Sequence, residues 1–168
     1  VDIPSPNHFP GANMAGGGGI VTVFSSQMLT NSDFYTGAFP AEYGNALAGV
    51  FDMKFRTGNS EKREHTVQLG VLGIDIASEG PFKTGSKATY LFNYRYSTLG
   101  LLQPLLPAHS GLPVYQDLSF KLNFPNKYGS ISVWGIGALD NMQKGQISDS
   151  SKWENENSRS SLGWKLSM

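Results

Sequence analysis

The sequence contains no cysteine, which excludes disulfide bridges and thiolate metal ligands and leaves the redox compartment unmarked. Charge is sparse as well. Charged residues make up 15% of the 168 positions, against about 25% in an ordinary soluble domain, so a charge-laced helical protein is a poor fit. The 13 basic and 13 acidic residues cancel, and the Lys and Arg are scattered. Without a basic stripe to neutralise phosphates, nucleic acid is not an expected partner. The longest apolar runs, such as Ile20 to Phe24, fall far short of the ~20 residues that a spanning helix needs.

Catalytic signatures are missing too. There is no GxSxG elbow and no HExxH helix, and the run Gly16 to Gly19 lacks the Lys-Ser/Thr ending of a phosphate loop. Neither enzymatic chemistry nor a cofactor is expected. His8, His65 and His109 are widely separated, and none has a second His or a carboxylate at ligand spacing. They read as loop or solvated side chains rather than a metal site.

What is present is glycine, at 20 of 168 residues, together with 12% aromatics and many Ser and Asn. That mixture suits short strands and tight turns, so the fold is expected to be mainly β. Pro4, Pro6, Pro10 and the glycine run make residues 1 to about 19 a loop. Ile20 to Phe24 reads as a short strand, and a Gly-punctuated turn precedes an alternation at Phe51, Met53 and Phe55. Gly37, Gly44 and Gly49 are expected to permit tight turns. Glu42, Asp52, Lys54 and Arg56 offer charges for pairing with a neighbouring wall.

From His65 the period becomes two. Val67, Leu69 and Val71 share one parity and Ile74 and Ile76 the other, so the chain either bulges or reverses near Leu72 and Gly73. Glu79 to Lys87 is a hairpin turn. Tyr90, Phe92, Tyr94 and Tyr96 then alternate with Thr89, Asn93 and Arg95. Leu118 to Phe124 alternates with Ser119, Lys121 and Asn123, and Pro125 to Gly129 turns the chain into Ser130 to Leu139. A last alternation runs from Ser161 to Met168. Longer connections, Leu99 to Pro113 and Asn141 to Asn157, separate the hairpins, so connections alternate short and long, a habit of outer-membrane barrels. In that setting the apolar rows would meet lipid and the polar rows a lumen, with Tyr90, Tyr96, Tyr115, Tyr128 and Trp164 in the interfacial girdles. Periodicity alone fits a soluble antiparallel sandwich equally well.

The segment "FYTGAFPAEYGNALAGVFDMKFRTGN", Phe34 to Asn59, resembles the closing part of the plug domain in TonB-dependent outer-membrane receptors. Tyr43, Gly44 and Gly49 fill the places of that family's plug-exit motif. "VDIPSPNHF", Val1 to Phe9, is similar to the plug loop of the subgroup whose precursors begin with a carboxypeptidase-regulatory-like domain. "GVLGIDIASEGPF", Gly70 to Phe82, is similar to that subgroup's first barrel strands. The resemblance covers roughly residues 1 to 97.

It implies a fragment: the C-terminal part of a plug domain at residues 1–60, then at 61–168 the initial antiparallel strands of a transmembrane β-barrel of twenty-two strands. The early plug, the TonB-box peptide and most strands would lie outside this chain, and both ends look cut. The implied function is active uptake across the Gram-negative outer membrane. The implied partners are outer-membrane lipid, a TonB-type energy-coupling protein acting through the missing N-terminal part, an imported substrate of unknown identity, and a surface lipoprotein. Loops on a rigid scaffold commonly carry recognition, so Asn7, His8, Phe9, Tyr115 and Trp153 are the candidate substrate-facing residues. The alternative is a soluble or surface-anchored β-sandwich that binds a ligand.

Overall fold

A computed structural model describes residues 7–8, 21–37, 40–44, 49–99, 113–144 and 153–167. The chain is mainly β, with two antiparallel sheets. The first pairs β1 (Asp33–Tyr35) with β2 (Val50–Asp52), and a single 3-10 turn at Ala41–Tyr43 lies between them in sequence. The second is a six-stranded meander of β3 (Glu64–Leu69), β4 (Ile74–Pro81), β5 (Thr89–Tyr96), β6 (Pro113–Asn126), β7 (Gly129–Lys144) and β8 (Trp153–Ser167), each strand beside its sequence neighbours. Below, this sheet is called the wall, and the residues before it the N-terminal segment.

The parity switch after Leu69 is a reversal. Leu69 pairs with Ile74 and Val67 with Ile76, while Gly70 and Gly73 exchange backbone hydrogen bonds of 2.9 and 3.3 Å across the turn. A tight turn with one strand on each side brings opposite parities onto one face, so all four side chains stay together. At the next turn Phe82 N–H donates to the Ala88 carbonyl at 3.1 Å, and Gly85 adopts φ +81°. The β6–β7 hairpin is tighter than its sequence suggested: β6 runs on to Asn126, leaving Lys127 and Tyr128 as the turn. Asn141 to Asn157 is a shorter connection than expected, because β7 continues to Lys144 and β8 begins at Trp153. Their ladder pairs Asn141 with Glu156 and Lys144 with Trp153, so residues 141–144 and 153–156 lie on paired backbone.

The wall has two unlike faces. Its inner face, turned to the N-terminal segment, carries Asp75, Ala77 and Glu79 from β4, and Thr89, Leu91, Asn93 and Arg95 from β5. From β6 and β7 come Tyr115, Asp117, Ser119, Ile136, Ala138 and Asp140. Most of these are buried, Asn93 completely. The opposite, outer face carries Val67, Leu69, Ile76, Phe92, Tyr96, Leu118, Phe124, Ile131 and Leu139, all exposed, Leu69 to 77%. Large apolar side chains are thus exposed on the outer face, while the inner face covers polar and charged groups beside Leu91, Ile136 and Ala138.

The apolar core is small and lies between segment and wall. Val23 and Phe24 pack on Ile136 and Ala138, with Leu29, Met53 and Phe55 around them, and Phe55 stands edge-on to Trp134 at 5.8 Å. Burying a Val or Phe side chain stabilises by about 1.5–3 kcal/mol, enough for a few residues to fix the segment's place. Of the strand expected at Ile20 to Phe24, Ile20 lies outside the described residues, and residues 21–24 form no strand beyond an isolated bridge at Thr22. Val23 and Phe24 are consecutive and both buried, which a strand with one covered face cannot do. Thr22 Oγ1 also takes the Phe24 N–H at 3.2 Å. The alternation at Phe51, Met53 and Phe55 is likewise broken. β2 ends at Asp52, leaving Phe51 exposed against Phe34 while Met53 and Phe55 turn to the core.

Candidate functional site

The chemistry of the described residues is concentrated on the seam between N-terminal segment and wall. The two long connections, after Tyr96 and after Lys144, leave the wall at one end, which also holds the short β3–β4 turn. The turns after Pro81 and Asn126 lie at the other end.

At the long-connection end, His8 is fully buried. Its Nε2 lies 3.0 Å from Asp117 Oδ2 and its Nδ1 3.3 Å from Asp140 Oδ2. The ring leans on Tyr115 at 4.8 Å between centroids, and the His8 backbone N–H donates to the Val21 carbonyl at 2.7 Å. Arg95 donates to Asp117 through Nε at 3.0 Å and Nη2 at 2.8 Å, and Nη2 also reaches the Thr22 carbonyl at 2.6 Å. Nearby, Ser25 Oγ donates to Asp75 Oδ2 at 3.0 Å, and Asn93 Nδ2 donates to Asp75 Oδ1.

At the short-turn end, Arg56 grips Glu79 in a two-point pair of 2.7 and 2.6 Å, the planar geometry that makes such pairs strong. Glu79 also accepts the Asn59 backbone N–H at 2.8 Å. In the same cross-strand row as Glu79, Lys121 Nζ donates to the Phe55 carbonyl at 2.7 Å. Gly58 lies so close to β5 that an added Cβ would stand 2.2 Å from the Tyr90 carbonyl oxygen. The seam is thus a set of side-chain contacts on a polar wall, suited to holding a separate segment in place.

The expected site residues are partly brought together. His8 and Tyr115 touch, yet both are buried, so neither faces solvent as a substrate contact would. Tyr115 shares the parity of Asp117 and Ser119, which also removes it from any outer girdle; Tyr90, Tyr96 and Tyr128 do not share that inner placement. Asn7 forms an isolated bridge with Thr22. Trp153 opens β8, with only its backbone described, and Phe9, His109 and the run Gly16 to Gly19 lie outside the described residues. His8 lies outside any strand, as a loop histidine would, but the expectation that it is solvated fails: it is buried against carboxylates 109 and 132 residues away. Among the described residues, no group of three or more His, Cys, Asp or Glu is arranged to hold a metal ion.

Tyr43 and Gly49, expected from the resemblance as parts of a plug-exit motif, serve the small sheet. The Tyr43 ring rests on Tyr35 at 5.7 Å, and a Cβ at Gly49 would stand 3.2 Å from the Phe34 ring. Gly37 has φ +71° and fits the expected tight turn, whereas Gly44, at φ −62°, takes a conformation open to any residue. Of the four charges expected to reach a wall, Arg56 does so. Lys54 instead joins Asp33 at 2.9 Å and Asp52 at 3.2 Å. The hydrogen bonds it donates to Asp33 and then Asp52 raise its pKa above the usual lysine range. Nothing is described of the Glu42 side chain.

Sequence reasoning missed Asp75, Glu79, Asp117 and Asp140. For Asp75, Glu79 and Asp117 a signal was there, since each falls in phase with the more polar row of an alternating strand, where a charge needs a partner; Asp140 shares its row with Ile136 and Ala138 and had none. No protein-family model, curated protein or solved structure matches this chain.

Proposed function

We propose that this chain is part of a TonB-dependent outer-membrane receptor, with the N-terminal segment belonging to the plug and the wall to the transmembrane barrel. The observation that carries the reading is the wall's pair of unlike faces: apolar rows exposed on the outer face, polar and charged groups covered within. A water-facing sheet loses about 25 cal/mol for every Å² of apolar surface it leaves uncovered, and contiguous apolar patches beyond a few hundred Å² mark interaction or membrane surfaces. Lipid acyl chains are the cover that suits an alternating sheet of this kind.

Strand length supports the same reading. A tilted strand crosses the hydrocarbon core with about 9–11 residues. β6, β7 and β8 have 14, 16 and 15, and β4 and β5 come close with eight each. Both long connections leave one end of the wall, as extracellular loops do in such barrels. Among the described residues β3 and β8 each have a neighbour on one side only. Unpaired backbone in lipid costs several kcal/mol per group, so further strands would continue the wall from both edges. The reading makes outer-membrane lipid the partner of the outer face, a TonB-type protein the source of energy, and an imported solute the cargo, with a surface lipoprotein as a further partner.

The test is fractionation of the full-length product. Recovery in the outer membrane, dependence on detergent and heat-modifiable gel mobility are expected. A product that stays soluble without detergent would replace the receptor with a ligand-binding sandwich.

A further inference from the structure

We propose that His8 is a releasable anchor, which holds the long-connection end of the N-terminal segment on the wall independently of the Arg56–Glu79 clamp at the other end. The proposal rests on the plug reading for its meaning, because a plug has to leave its wall, although the contact itself is defined by geometry alone. His8 sits on a short stretch whose described backbone ties go to Val21 and Thr22 of its own segment, not to the wall. Among the described contacts, its ring, fully buried, meets the wall between carboxylates of two adjacent strands. The charged and titratable groups around that ring are Asp117 and Tyr115 of β6, Asp140 of β7, and Arg95 of β5, which is bound to Asp117.

Partner and place are matched. Arg95, which steadies Asp117 beneath the ring, also holds the Thr22 carbonyl, so withdrawing His8 loosens the corner that fixes residues 21–25. The clamp at Arg56, Glu79 and Asn59 shares no residue with this cluster. Contacts without shared partners act additively. One end can therefore open while the other stays closed.

The experiment compares amide hydrogen exchange in the full-length protein and its His8→Ala variant, in detergent, alongside heat-modifiable gel mobility. Exchange at residues 21–25 is expected to accelerate on the order of ten- to a hundredfold, the range for losing charge-assisted hydrogen bonds, with residues 54–59 unchanged. Unchanged exchange at 21–25, or equal acceleration at both ends, overturns the anchor. Should His8→Ala fail to give the folded, heat-modifiable form, Asp140→Asn keeps the size and one acceptor oxygen. It is expected to open the same end to a smaller degree, and no opening there again refutes the proposal. Loss of heat-modifiability in the unaltered protein would instead refute the barrel, and so the two failures are distinct.

Discussion

Replacing Leu118 by arginine puts a charge at the centre of the outer face, where lipid and water give opposite answers. Leu118 is the sixth of the fourteen residues of β6. At ~3.3 Å per residue and a tilt near 45°, the strand covers about 33 Å of membrane depth, and Leu118 lies roughly 12 Å from one end of it. It is 39% exposed, and its cross-strand neighbours are Tyr94 and Gly137, the latter with open space where a Cβ would stand. The new side chain therefore meets solvent rather than a clash, and its cost is one of solvation. Arginine near the midplane of a barrel's lipid face costs about 2–4 kcal/mol, whereas an exposed substitution in water stays within about 0.5 kcal/mol. Tyr128→Arg is the control, since Tyr128 is 75% exposed in the β6–β7 turn and an interfacial arginine costs about 0–1 kcal/mol. Denaturant titration of the full-length protein folded into lipid vesicles is expected to separate the two variants by a folding constant of roughly tenfold or more. Equal stabilities would mean that the outer face does not meet lipid, and the argument from the exposed apolar rows would fail.

Arg56→Ala should loosen residues 54–59 by about 2–4 kcal/mol in hydrogen exchange, because Glu79 keeps the Asn59 N–H but loses its charged partner. Arg56→Lys should recover little, since an ammonium does not reproduce the two-point grip. Gly58→Ala brings a methyl group against the Tyr90 carbonyl and should cost about 1–3 kcal/mol, read as a lower temperature of conversion on a heat-modifiable gel. Lys54 has its ammonium favoured by Asp33 and Asp52. Its contribution to the β1–β2 pair should be complete at neutral pH and lost only as pH climbs beyond the ordinary lysine range. NMR signals of Asp33 and Asp52 followed into alkali check this, and a loss near neutral pH would contradict it.

The wall was legible because its information is local. Alternation at Tyr90–Tyr96 and Leu118–Phe124 fixes which side chains share a face, and the turns expected at Glu79 to Lys87 and Pro125 to Gly129 carry their own chemistry, although β4 runs on to Pro81 and β6 to Asn126. Even the ambiguity at Leu72 and Gly73 was bounded, and the Leu69–Ile74 pairing resolves it. The seam was harder to read, since its contacts join residues far apart in sequence. His8 has nothing beside it to announce Asp117 or Asp140, and Lys54 and Arg56, two positions apart, find partners in different sheets. Ile20 to Phe24 misled for another reason: a β-branched run has the propensity of a strand, but burial on both sides of the chain overrode it.

Among the described residues, no backbone ladder joins the N-terminal segment to the wall; the pairings run within each body. The manner of attachment governs the response to force. Strands sheared along a common ladder resist together, whereas side-chain ties strung along a seam are loaded one after another from whichever end is tugged. A steady pull would thus meet a succession of small barriers instead of one large one, while the six-stranded ladder, bonded along its full length, keeps its shape.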